Sequence, residues 1–93
     1  MHNYIKNHIL EELEGAADYW TKAVDYKGTR IGETFKNMAE AELEHANSLL
    51  EIFNKLETND YYIEEEMYRE ILDAYSKAMY KIAKLERLYK KED

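Results

Sequence analysis

The 93-residue sequence contains no cysteine and no proline, and it has only three glycines. Without cysteine the chain forms no disulfide, no thiolate metal site and no iron–sulfur cluster, and it suits a reducing cytoplasm, where we expect the protein to reside. No apolar run approaches the roughly 20 residues that a membrane-spanning helix needs. The opening residues carry no signal-peptide pattern, so we expect neither export nor insertion into a membrane.

Basic residues are also scarce, since thirteen Lys and Arg stand against twenty Asp and Glu, a formal net charge of −7. Nucleic acids and anionic membrane surfaces are bound by clustered basic side chains, so we expect neither as a partner. Lys and Arg do gather within residues 77–91. There they complement the dipole at the carboxyl end of a helix.

The chain is rich in Glu, Lys, Ala and Leu, which are strong helix formers, and no stretch alternates with period two as a strand would. We predict a single all-α domain that takes in the whole chain, 1–93. Gly28 suits the end of one helix, and Thr29 suits the N-cap of the next. Short connections predict an antiparallel hairpin that a third helix joins. The predicted helices span about residues 3–27, 29–57 and 61–90.

The first two predicted helices carry apolar stripes in steps of four and three residues, a pattern typical of a helix that buries one face against another. The stripe of the first helix is Ile5, Ile9, Glu12, Ala16, Tyr19, Ala23 and Tyr26. The stripe of the second helix is Ile31, Phe35, Met38, Glu42, His45, Leu49, Ile52 and Leu56. A carboxylate in such a stripe is costly unless it is paired or binds a metal. Glu12, Glu42 and His45 are therefore the candidate metal ligands.

Helix geometry predicts that these three side chains meet. Glu12 lies about 15 residues before the turn, or ~22 Å along the axis at 1.5 Å per residue. Glu42 and His45 lie about 12 and 15 residues after it, or ~18 and ~22 Å. Because Glu42 and His45 are three residues apart, they project from the same face of their helix.

One hairpin supplies only half of a dinuclear carboxylate site. Such sites in four-helix bundles take a Glu from each of two helices and a Glu-x-x-His from each of two others, and the inward positions of the third helix contain no His. Two copies related by a twofold axis would supply four carboxylates and two imidazoles, which balance two divalent cations. We therefore expect a homodimer or higher homo-oligomer with two metal ions at its interface. This donor set suits Fe(II) and Mn(II) and also accepts Zn(II).

Residues 9–16, Ile-Leu-Glu-Glu-Leu-Glu-Gly-Ala, and residues 41–46, Ala-Glu-Leu-Glu-His-Ala, resemble the half-size ferritin-like proteins. These include the encapsulated ferritins and the short rubrerythrin-like proteins. The thirty-residue separation of Glu12 from Glu42, with His45 three further on, is the specific part of the resemblance. It implies a ferritin-like four-helix bundle, formed by two hairpins, that oxidises Fe(II) with oxygen or peroxide.

The resemblance also implies residue roles. Glu42 would bridge two irons, while Glu12 and His45 would complete the shell of each metal. Tyr19 would sit beside the site as a hydrogen-bonding group, and Glu11 and Glu14 would form an ion-entry path.

The sequence departs from those relatives in two ways. It ends in Lys-Lys-Glu-Asp, without the short apolar tail that targets encapsulated ferritins, so we do not expect an encapsulin shell as partner. It also lacks the four-cysteine module of full rubrerythrins, so a peroxidase of that kind would need an external electron donor.

Two other interpretations stay open. The chain could be a non-catalytic helical oligomer or adaptor whose metal site is structural or vestigial. It could also be a metal-free coiled-coil interaction domain. If the protein is an enzyme, it is an oxidoreductase of the ferroxidase or peroxidase type.

Overall fold

The computed structural model describes residues 1–59 and 65–92, without the side chains of residues 57–59. Within these residues the chain forms three α-helices and no strand, so the prediction of an all-α fold is confirmed. None of the three helices carries a stretch apolar enough to cross a membrane. The helices are α1 (His2–Asp25), α2 (Arg30–Asn59) and α3 (Glu65–Lys90).

The helix ends lie close to the predicted positions. α1 and α2 each begin within one residue of the predicted start and end within two residues of the predicted end. The predicted start of the third helix, residue 61, lies outside the described residues.

A tight turn joins α1 to α2. Gly28 has a φ of +83°, in the left-handed region that glycine enters without steric cost. Thr29 caps α2, because its Oγ1 accepts a hydrogen bond from the N–H of Gly32 at 3.1 Å. The same hydroxyl donates to the carbonyl oxygen of Tyr26 at 2.6 Å. The turn thus folds α1 and α2 into the antiparallel hairpin.

Gly32 allows the close approach of α2 to the end of α1. A Cβ at this position would lie 2.3 Å from the carbonyl oxygen of Tyr26.

Since the obstacle is backbone, we expect Gly32→Ala to open the turn and lower the free energy of unfolding by about 3 kcal/mol in urea titrations. Gly28→Ala is the control, with no atom within 4 Å of the new Cβ and an expected loss of about 1 kcal/mol from its positive φ. Equal losses in the two variants would contradict this account.

α1 lies between α2 and α3 and packs against both. Apolar side chains of all three helices form two clusters, one on each half of the hairpin. Away from the turn, the cluster comprises Ile5, Ile9, Leu13, Ala46, Phe53 and Ile71. Nearer the turn, it comprises Ala16, Ala17, Trp20, Ala23, Ala39 and Ile82.

Side-chain hydrogen bonds connect α3 to α2. The hydroxyl of Tyr75 donates to Asn47 Oδ1 at 3.0 Å, and that of Tyr68 donates to Asn54 Oδ1 at 2.9 Å. Both asparagines therefore mark the side of α2 that faces α3.

The buried side of α2 differs from the predicted stripe. The fully buried line runs in seven-residue steps through Gly32, Ala39, Ala46 and Phe53. Three of these four residues are small, which allows the backbones of α1 and α2 to approach closely. The predicted stripe is only partly buried, because four of its members lie one residue away from that line and are exposed in the single chain. We call these four the outer stripe of α2: Ile31, Met38, His45 and Ile52.

Candidate metal centre

Glu12 of α1 and Glu42 and His45 of α2 converge about midway along the hairpin. Each offers one ligand atom, and these three atoms all lie within 4.8 Å of one another. His45 Nδ1 is 3.7 Å from Glu12 Oε2. The structure thus brings together the three residues that helical rise and spacing singled out.

The three side chains lie along the seam between α1 and α2, here called the groove, and are partly exposed to solvent. The side chain of Glu12 is 22% exposed and that of His45 is 63% exposed, while Glu42 is half-buried. At 100° per residue, His45 lies on the opposite side of α2 from Asn47 and Asn54. The groove therefore opens away from α3.

Glu42 has a higher pKa than an ordinary glutamate. A hydrogen bond with the Glu12 carboxyl group, desolvation in the groove and repulsion by the Glu12 charge raise the pKa of Glu42 from 4.5 to about 7, against the lowering effect of nearby His45. In the metal-free protein, the Glu12–Glu42 pair therefore keeps a proton up to neutral pH. A divalent cation bound here would displace that proton.

One carboxylate oxygen of Glu12 is buried, and it lies 3.7 Å from His45 Nδ1, beyond hydrogen-bonding distance. This atom, Oε2, accepts no hydrogen bond from the described residues. Buried polar atoms are nearly always satisfied, so such an exception calls for an explanation. A cation would supply the missing interaction, and two carboxylates with one imidazole form a donor set that Fe(II), Mn(II) and Zn(II) accept. The residues present therefore fit a divalent metal ion.

Gly15 contacts this group, although the sequence analysis gave it no role. The three atoms nearest to a Cβ built on Gly15 all belong to the side chain of Glu42, and its Oε2 is at 3.0 Å. A glycine in the middle of a helix, three residues after a predicted ligand, is the signal that could have revealed this contact.

The resemblance also suggested three supporting residues, Tyr19, Glu14 and Glu11. Tyr19 is half-buried, and its ring centroid lies 6.0 Å from that of Phe35. Among the described residues, no hydrogen bond joins its hydroxyl to the three candidate ligands, so its supporting role stays a prediction. Glu14 lines the groove between α1 and α3, together with Lys77, and its part in an ion-entry path stays a prediction. Glu11 is exposed.

Comparison with known proteins identifies the family. The family model described as Rubrerythrin matches residues 3–93, which include the site-bearing hairpin and α3. Neither a curated protein nor a solved structure matches the chain significantly. The resemblance to short rubrerythrin-like proteins is thereby confirmed. This chain, with its paired carboxylates and histidine at the middle of a helical hairpin, belongs to the rubrerythrin family.

Proposed function

We propose that this chain is a cytoplasmic di-iron protein that binds two irons between two copies of itself and oxidises Fe(II) with oxygen or peroxide. One observation carries the proposal: Glu12, Glu42 and His45 offer ligand atoms within 4.8 Å of one another. Membership of the rubrerythrin family supports iron as the metal. Mn(II) and Zn(II) are the alternatives that the same ligands would accept.

The outer stripe of α2 supports a second copy of the chain as the partner. Ile31, Met38 and Ile52 are 55%, 38% and 48% exposed, and His45 lies among them. Exposed apolar side chains that cluster in this way are typical of interaction surfaces. A twofold partner would cover them and would add its own Glu12, Glu42 and His45, because a twofold interface repeats every contact.

The chain's own residues would prepare the site for two metals. Glu42 would be the central carboxylate, and it would give up the proton held by the Glu12–Glu42 pair when a cation bound. His45 presents Nδ1 toward Glu12 Oε2 and must be neutral to bind a metal. The partner's outer stripe would exclude water from the groove. Two Fe(II) ions would supply two electrons, which with two protons reduce oxygen to hydrogen peroxide or hydrogen peroxide to water.

Anaerobic Fe(II) titration followed by exposure to oxygen or peroxide tests the proposal. We expect about one iron per chain and rapid consumption of the oxidant. Glu12→Ala removes one ligand and should lower iron affinity at least about 100-fold, since even indirect support of a ligand is worth 10–100-fold. Asp18→Ala is the matched control, because its carboxylate lies on the same helix and is exposed. A Glu12→Ala protein that binds and oxidises iron as well as the wild type would contradict the proposal.

A non-catalytic helical oligomer or adaptor is the second candidate function. It is favoured by the position of Tyr19, whose hydroxyl makes no hydrogen bond to the ligands within the described part of the chain. A metal held without such support could serve as a structural staple. Iron binding without oxidant consumption would identify this case.

A further inference from the structure

Gly15 occupies a helix position where nothing in the backbone requires glycine. It lies in the middle of α1 (His2–Asp25), and its φ is not positive, unlike that of Gly28. Glycine in a helix interior is less stable than alanine, because it loses more conformational freedom on folding. Its presence is therefore explained by the atoms that surround it and not by its backbone conformation.

The space beside Gly15 is occupied by the side chain of Glu42. A Cβ at Gly15 would lie 3.0 Å from Glu42 Oε2, 3.5 Å from Cδ and 3.8 Å from Cγ. The first distance is shorter than ordinary van der Waals contact, so the carboxylate would have to move by a few tenths of an ångström. The absence of a side chain at position 15 lets the carboxylate of Glu42 lie directly over the α1 backbone.

The direction of that movement matters for the metal site. Gly15 lies one helical turn after Glu12 on the same face of α1, so the Glu42 carboxylate lies beside both residues. Glu42 is half-buried in a groove that opens to solvent. A methyl group at position 15 would therefore push its carboxylate outward, away from the level at which the three ligand atoms converge.

We propose that Gly15 is a positioning residue, which places the Glu42 carboxylate within reach of a metal that Glu12 and His45 also bind. This inference rests on the proposed metal site. According to this inference, Gly15 lowers the stability of the helix and raises the affinity for metal. Replacing the glycine should therefore weaken metal binding without lowering the stability of the helix.

The variant Gly15→Ala tests this inference. Its iron affinity is measured by anaerobic Fe(II) titration against a competing chelator, and its stability by thermal unfolding of the metal-free protein. We expect iron affinity to fall about tenfold, within the range for residues that position metal ligands, while the unfolding midpoint stays equal or rises. Asn7→Ala is the matched control, because Asn7 is an exposed, neutral residue of α1 and its replacement improves helix propensity without touching the site. It should raise the midpoint and leave iron affinity unchanged.

A double-mutant cycle with Glu42→Asp shows whether Gly15 acts through Glu42. Aspartate is one methylene shorter, so it no longer reaches the space of the new methyl group. We expect Gly15→Ala to cost about tenfold beside Glu42 and less than twofold beside Asp at position 42. Equal costs in both backgrounds would overturn the positioning role.

The outcomes separate this inference from the proposed function. If the wild type binds iron and Gly15→Ala binds it equally well, the positioning role is wrong and the metal site stands. If the wild type binds no iron, both are wrong. If Gly15→Ala alone loses helical circular dichroism, Glu42→Asp is compared with the double variant instead. Equal iron affinity in these two proteins supports the positioning role. Loss of iron binding in the double variant but not in Glu42→Asp overturns it.

Discussion

Glu42→Gln is expected to stabilise the metal-free protein while removing most of its affinity for metal. The amide keeps the shape of the side chain and can donate a hydrogen bond to Glu12, but it carries no charge. It therefore relieves the repulsion between two adjacent carboxylates. It also replaces an anionic ligand with a weak neutral one, so we expect iron affinity to fall at least about 100-fold.

The stabilisation should depend on pH, because the pKa of Glu42 is raised from 4.5 to about 7. Between these values the folded protein binds this proton more tightly than the unfolded chain does, so the contribution of Glu42 to stability falls as pH rises from about 4.5 through 7. Below this window the wild type keeps the full contribution of the proton. Glu42→Gln removes the titration and should flatten this part of the profile.

Thermal unfolding of the metal-free proteins at pH 5 and pH 8 measures the effect. The groove is open to solvent, which weakens the repulsion, so we expect a gain of about 1 kcal/mol at pH 8, or about 4–8 °C for a chain of this size. The gain should be much smaller at pH 5. Glu44→Gln is the control, since Glu44 is exposed on the same helix and should change neither iron affinity nor the pH profile. A Glu42→Gln protein that is less stable than the wild type at pH 8 would contradict the raised pKa of Glu42.

Ile52→Asp is expected to separate the two copies and, as a consequence, to weaken metal binding. Ile52 lies one heptad beyond His45 on the outer stripe of α2, and about 10 Å along the axis from it at 1.5 Å per residue. The substitution therefore touches none of the candidate ligands. A carboxylate buried without a partner in an apolar interface costs several kcal/mol, and each 1.4 kcal/mol is tenfold in affinity. We expect dimerisation to weaken at least about 100-fold.

Sedimentation equilibrium and anaerobic iron titration on the same samples check this expectation. Leu72→Asp provides the matched control, because Leu72 of α3 is 58% exposed and Ile52 is 48% exposed. The control should remain a dimer and bind iron as the wild type does. An Ile52→Asp protein that is monomeric yet binds iron with full affinity would show that one chain suffices for the site.

Much of the fold and the convergence of the ligands could be predicted from periodicity and helical rise. The turn was marked by two residues with specific backbone roles, Gly28 and Thr29. A rise of 1.5 Å per residue was sufficient to place Glu12 opposite the pair Glu42 and His45, because a hairpin with a short turn leaves little freedom in register.

The buried line of α2 could not be predicted in the same way. Two heptad lines lie side by side on this helix, and hydropathy favours Ile31, Met38 and Ile52 over the smaller Gly32 and Ala39. The close contact between α1 and α2 reverses that order, since only small side chains fit between closely spaced backbones. The larger residues are then left on the outer stripe, where the proposed partner would cover them.

Gly15 shows a second limit of reading the sequence alone. Its three-residue spacing from Glu12 is visible in the sequence, but its neighbour belongs to another helix. Only the packing of α1 against α2 shows that the nearest atoms are those of Glu42.

We propose that two copies of this chain contribute Glu12, Glu42 and His45 to one shared dinuclear site. An anomalous difference map from crystals grown with Mn(II) tests this sharing. We predict two peaks on or beside a twofold axis, held between them by the Glu12, Glu42 and His45 side chains of both copies. Peaks held by one copy alone, or no peak near Glu42 at saturating Mn(II), would contradict the account.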